Sequence, residues 1–147
     1  MQNVEAMDAE TLLAAGWKRL DAGGFTGTLS PLWLYGTDPE RTLGFIVDER
    51  HSNNHQGSLH GGALMTFADI ALGYRAARAT GHSSLVTAQL QIQFVASAKV
   101  GNFVSCRPEL IRSSSQLAFV RGLICVGNKT VGSADGIWKV LEQKPKP

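Results

Sequence analysis

No apolar run in this sequence reaches the roughly 18–20 residues that a bilayer span needs. The first ten residues, MQNVEAMDAE, are polar and acidic, without the basic-then-apolar layout of a secretory signal. Both absences lead us to expect a cytoplasmic protein with no membrane partner. Cysteine is nearly missing too: there are two, Cys106 and Cys125, each inside an apolar, strand-like run. That excludes a disulfide scaffold, though one bridge between them stays open. The net charge is only +2, and no basic run exceeds Lys18-Arg19. A nucleic-acid partner is therefore not expected, because the phosphate backbone demands a basic stripe. A small basic patch for a phosphorylated ligand is still allowed. Walker and G-x-G-x-x-G phosphate loops are missing, as is the G-x-S-x-G elbow of serine hydrolases. Neither a repeat nor a low-complexity segment interrupts the chain.

What is present is a globular composition, 44% apolar and 18% charged in 147 residues, enough for one compact domain with a core. Residues 8–20 predict an amphipathic helix, with Asp8 as its cap and Leu12, Leu13, Gly16, Trp17 and Leu20 on one face. Residues 25–34 alternate loosely, as an edge strand broken by Pro31 would. Thr42 to Val47 predicts a strand. After a polar loop, residues 61–80 predict a long helix, apolar on most sides and so in need of cover on most sides. Four strands then follow, over 85–95, 103–111, 117–126 and 131–141, as an antiparallel meander. The first alternates, with Val86, Ala88, Leu90, Ile92 and Phe94 on one face and Thr87 among glutamines on the other. The expected fold is α+β, one domain over 1–147, with an N-terminal helix and extension to residue 40 and a core over 41–141.

One acid, Asp69, stands inside the apolar helix, flanked by Phe67-Ala68 and Ile70-Ala71-Leu72. A carboxylate is costly there unless something holds or uses it. Taken alone, it reads as a structural aspartate paired with a backbone amide, Arg75 or Arg78. The functional alternative is a general base or nucleophile. The helix start, His60-Gly61-Gly62, offers unpaired N–H groups and a partial positive charge to a carbonyl or oxyanion. Gly61 and Asp69 are eight residues apart, roughly 12 Å along a helix. Either they act separately, or they meet across a symmetric dimer of antiparallel helices. His51, His55 and His60 lack a cysteine partner, and we expect no metal.

The pattern Asn54-x-x-Gly57-x-x-His60-Gly61-Gly62-x6-Asp69 resembles the motif of hotdog-fold acyl-CoA thioesterases of the phenylacetate-degradation (PaaI-like) type. Val86-Thr87-x-x-Leu90-x-Ile92-x-Phe94, the turn Ser97–Gly101 and the region around Trp138 are similar to that family as well. The resemblance covers about residues 40–141 and leaves residues 1–40 unexplained. It implies a hotdog fold, an antiparallel sheet wrapped around the long helix. It implies hydrolysis of an acyl-CoA to acid and CoA with no cofactor. It assigns Asp69 the role of nucleophile or general base, Gly61 the amide that polarises the carbonyl, and His60 its orientation. Asn54 and Thr87 would position the thioester or the attacking water. Gly62, Arg112, Ser113, Ser114 and Gln116 would bind substrate, the last four at the nucleotide end of CoA. It further implies a homodimer with its sites across the interface, and room for a dimer of dimers. With the motif intact, the catalytic reading of Asp69 overtakes the structural one. A non-catalytic acyl-CoA or acyl-carrier binding module and a hotdog dehydratase are the rival readings.

Overall fold

The computed structural model describes residues 7–53 and 57–141. An eight-stranded antiparallel sheet curves around one long helix, the hotdog arrangement expected. That helix, α2 (Gly61–Thr80), starts and stops where its sequence signals fall. His60 caps it by accepting Gly62 N–H at Nδ1, 2.8 Å away, and Gly81 ends it in the left-handed conformation at φ 71°. Leu64, Phe67, Ala68, Ala71 and Leu72 bury one side of α2 against the concave face of the sheet, where Phe45 meets Phe67 at 4.9 Å between ring centres.

The N-terminal helix is shorter than expected. Asp8 does cap it, accepting Thr11 N–H at 2.8 Å, but α1 covers only Ala9–Ala14. Gly16 takes φ 96°, a conformation no helix continues through, and the chain turns into β1 (Lys18–Leu20). Residues 25–34 are likewise not one strand. Phe25–Leu29 forms a 3-10 turn, and β2 (Leu32–Tyr35) follows Pro31. This extension has a structural task. Leu12, Trp17, Trp33 and Phe103 form a second core on the convex face of β2, β3 (Thr42–Ile46) and β5 (Phe103–Cys106).

The remaining strands are β4 (Leu85–Phe94), β6 (Glu109–Ser113), β7 (Leu117–Val126) and β8 (Lys129–Val140). The spatial order is β1-β2-β3-β5-β7-β8-β4, with β6 also on β7, so the last third is not a meander. β4 lies beside β8 at the far edge, and the crossover 95–102 returns the chain to β3. The strand expected over 103–111 breaks at Arg107-Pro108, since proline brings no ladder N–H. Cys106 and Cys125 sit on neighbouring strands but on opposite faces, so both are free. Burial pushes the Cys106 thiol up to about 12.

Two features bear on function. β4 has one strand neighbour only among the described residues, and most of its side chains are exposed. Its expected alternation fails at a bulge between Thr87 and Gln89. The extra residue, Ala88, shifts the phase, so Thr87 joins Leu90 and Ile92 on the concave face while Val86 moves to the convex one. The expectation that α2 is covered on most sides also fails: Gly62 and Met65 are exposed, and Thr66, Asp69 and Gly73 are only half-buried. Among the described residues, no helix is long and apolar enough to cross a membrane.

Candidate active site

Asp69 emerges on the open side of α2, and the Thr87 hydroxyl donates to its Oδ1 at 2.6 Å. Only the bulge makes this contact possible, because strict alternation points Thr87 away from the helix. The rivals Arg75 and Arg78 do not hold the acid: Arg78 pairs instead with Asp38 at 2.7 Å, and no Arg75–Asp69 pair exists among the described residues. Asp69 thus has one neutral donor and an uncovered flank.

Eight residues earlier, the helix start is wired differently. His60 Nδ1 takes the Gly62 N–H and His60 O takes the Leu64 N–H. Among the described residues nothing accepts from Gly61 N–H, which stands in the first turn at the positive end of the dipole. The Gly62 amide is spoken for by the His60 ring, and its contribution is the absence of a side chain. A side chain at Gly61 would reach Phe94 of β4 at 3.4 Å. The helix start therefore lies beneath one end of β4, and Asp69 beneath the other. The two half-sites stay separated along α2, as the eight-residue spacing requires.

Asn54 lies outside the described residues, whereas neighbouring Gly57 adopts φ 59°. Of the other histidines in the loop, His51 is buried with both ring nitrogens engaged. Nδ1 accepts Asp48 N–H at 3.1 Å, and Nε2 sits 2.7 Å from Thr28 O. It pins the 3-10 turn Phe25–Leu29 to the segment before the helix, a role its sequence position did not reveal.

The segment 112–116 closes the β6–β7 hairpin. The row Thr87, Trp138, Ala118, Ser113 crosses four strands, putting Ser113 roughly 14 Å from Thr87 on the same face. A second bulge, between Leu110 and Arg112, directs Arg112 to the convex face opposite Phe119. Ser114 Oγ accepts from Gln116 N–H at 3.3 Å and Leu117 N–H at 3.1 Å, so its hydroxyl oxygen shapes the turn. Arg112, Ser113 and Gln116 are exposed. The structure thus brings Asp69 to Thr87 and His60 to Gly61 and Gly62, and leaves the hairpin apart from both.

The sequence profile of the thioesterase superfamily matches residues 56–133, from the loop before α2 into β8. A Pseudomonas aeruginosa protein named "Putative esterase PA0474" is 33% identical over 93 residues, 63% of this chain and 69% of that protein. The chain belongs to the thioesterase superfamily. Solved thioesterase-fold structures agree in architecture. A hypothetical thioesterase of Streptococcus pneumoniae, solved with coenzyme A, superposes with a TM-score of 0.70 at 18% identity, covering 80% of this chain and 91% of that one. The E. coli PaaI protein of the phenylacetic acid degradation operon gives 0.66 at 22% identity, covering 74% and 82%. The superfamily match begins only at residue 56, so it leaves α1, the 3-10 turn Phe25–Leu29 and β1–β3 unaccounted for.

Proposed function

We propose that this thioesterase-superfamily chain hydrolyses acyl-CoA thioesters, working as a homodimer whose two active sites each draw on both copies. The observation that carries it is the pairing of an uncovered Asp69, held by Thr87, with a Gly61 amide that has no acceptor among the described residues, one helix segment away. The coenzyme A bound in the S. pneumoniae neighbour supports the substrate class. In the proposed reaction, Asp69 takes a proton from water as the water oxygen attacks the thioester carbonyl. Gly61 N–H of the other copy stabilises the oxyanion. The C–S bond then breaks, the CoA thiolate leaves and regains a proton, and the free acid is released. Attack by the Asp69 carboxylate itself, through a mixed anhydride that water opens, uses the same atoms. Asn54 and Thr87 serve as the water-positioning pair. Ser113, Ser114, Gln116 and Arg112 serve the nucleotide end of CoA, and Gly62 leaves room for the thioester. No metal or redox group is called on, and the proposed setting is the cytoplasm.

The twofold axis follows from arithmetic. Setting Gly61 of one antiparallel helix opposite Asp69 of the other centres the crossing on residue 65, midway between them. Met65 is there, 37% exposed, with Gly62 and Thr66 beside it. The edge of β4 that has no strand neighbour among the described residues lies alongside and would continue the sheet into the second copy. The bare convex face of β7 and β8 suits a dimer of dimers.

Complementation tests the composite site. Asp69→Asn and His60→Ala, each alone, should release little thiol from an acyl-CoA panel. Co-refolded one to one, half the dimers are mixed and each has one intact site, so roughly a quarter of wild-type activity should return. Full activity in Asp69→Asn would remove the acid from the chemistry. Two inactive variants that never complement would place the whole site within one chain.

A further inference from the structure

Beside the helix start lies a cavity of about 520 Å³ between the 3-10 turn Phe25–Leu29, the segment 50–52 and the first turns of α2. Its hydrocarbon walls are Phe25, Leu29 and Ala63. Six further residues that line it, His51, Thr66, Thr28, Ser52, Arg50 and His60, carry polar groups, and each already makes at least one side-chain hydrogen bond within the chain. Both His51 nitrogens are engaged, as described above. Thr66 Oγ1 donates to Gly62 O and Thr28 Oγ1 to Phe25 O, at 2.8 and 2.7 Å. Ser52 Oγ donates to Glu49 O at 2.8 Å. The Arg50 guanidinium bonds Asp48 and Ser30 O. His60 Nδ1 holds Gly62 N–H. A chamber framed by nominally polar residues thus presents mostly carbon to its occupant.

On the acyl-CoA thioesterase reading, on which this inference rests, we infer that the cavity receives the acyl group and selects unsubstituted hydrocarbon acyl chains. It shares His60 and Gly62 with the helix start and so adjoins the proposed thioester position, while Gly61 itself lines a separate recess with Leu64 and Phe94. A hydroxyl or carboxylate on the far end of that group meets walls that present mostly carbon and hydroxyls whose protons are already donated within the chain, and loses most of its water without replacement. Phe25 and Leu29 make the N-terminal extension, outside the superfamily match, a specificity element. The hydrogen bonds from His51 and Arg50 fix that wall before substrate arrives.

The experiment measures kcat/KM for straight-chain acyl-CoAs from acetyl to decanoyl, then for ω-hydroxy and ω-carboxy partners of the longer ones. In parallel, binding of the matching S-alkyl-CoA thioethers, which cannot be hydrolysed, is measured. Expected is a gain of about fourfold per methylene until the cavity fills, from about 0.8 kcal/mol per buried CH₂. A terminal hydroxyl should cost on the order of 10- to 100-fold, and a carboxylate more. Ala63→Leu should collapse the octanoyl-to-acetyl ratio. Phe25→Ala, at a position 75% exposed and so harmless to folding, should lower it several-fold. A profile flat in chain length, or equal use of ω-hydroxy esters, overturns the cavity assignment while thioester turnover stands. If no thioester is cleaved, the hydrolase reading fails, and the thioether affinities alone decide the cavity: rising with length supports it, flat overturns it.

Discussion

The buried side of α2 carries Leu64, Phe67, Ala68, Ala71 and Leu72, each 4% exposed or less, whereas the open side carries Gly62, Met65, Thr66, Asp69 and Gly73. Both sides are one helix, with one backbone and one pair of caps. On the buried side every residue is a hydrocarbon of fitted volume, and loss of volume is what hurts. On the open side the residues are small, flexible or charged, and only Gly73 answers to a close neighbour across the chain, the Trp138 indole that an added Cβ would meet at 3.1 Å. A protein selected for monomer stability alone gains little from a part-exposed acid and an exposed methionine on a central helix. The open side is therefore where function and a second copy are to be sought, and substitutions should separate the two sides.

The largest separation is expected between Asp69→Asn and Phe67→Ala. Asp69→Asn should cut thiol release by at least about 10²-fold, the scale of a lost general base, with an unchanged melting curve. Phe67→Ala should cost about 3–5 kcal/mol, a large part of a typical domain's stability, and lower the urea midpoint, while folded protein keeps its turnover per molecule. Melting and thiol-release assays on both variants check the contrast. An Asp69→Asn protein as unstable as Phe67→Ala would return the acid to a structural role.

Thr87→Val comes next and bears on how the acid is held. It removes the 2.6 Å hydrogen bond but keeps the shape on the concave face. About tenfold lower kcat with little change in KM is expected, equivalent to about 1.4 kcal/mol for one hydrogen bond to a carboxylate. Equal loss in kcat and in substrate affinity would mark Thr87 as a binding contact instead.

How far the two sides could be read from sequence differs for the same physical reason. The buried side and the limits of α2 are local: apolar spacing, the His60 cap and the Gly81 stop lie within the segment itself. The spacing from His60 through Asp69 is local too: it makes His60 the cap, sets Gly61 at the helix start and Asp69 two turns in, with Asn54 outside the described residues. What depends on pairing was not legible. The Ala88 bulge leaves no mark in Val86–Phe94, so alternation put Thr87 on the wrong face even though the family pattern set it near the acid. The position of β4 beside β8 is decided by a crossover, not by strand composition. The second core of Leu12, Trp17, Trp33 and Phe103 was not legible, because the sheet face it covers is assembled from β2, β3 and β5. The structural task of His51 was not legible either, because its partner Thr28 is 23 residues away. The cavity was hidden most completely, since six of its residues are polar by name and turn part of their polar groups to partners within the chain.

The smallest expected effect probes the wall that adjoins the open side. Asp48 caps the 3-10 turn Glu49–His51, accepting Arg50 N–H at 2.8 Å. Partial burial works against its charge, but the Arg50 hydrogen bonds and the nearby Arg50 and His51 outweigh that and hold its carboxyl below the ordinary 3.8. A carboxylate depressed in the folded state contributes stability above the unfolded value and loses it as pH falls through the folded one. Asp48→Asn keeps a capping oxygen and removes the charge. With the side chain 47% exposed, solvent screening keeps the cost at neutral pH to at most about 1 kcal/mol. The melting difference between wild type and Asp48→Asn should thus be present at pH 7 and shrink as the pH drops below 4. A difference that instead grew in acid would mean that the neutral carboxyl, not the charged one, is what the turn holds.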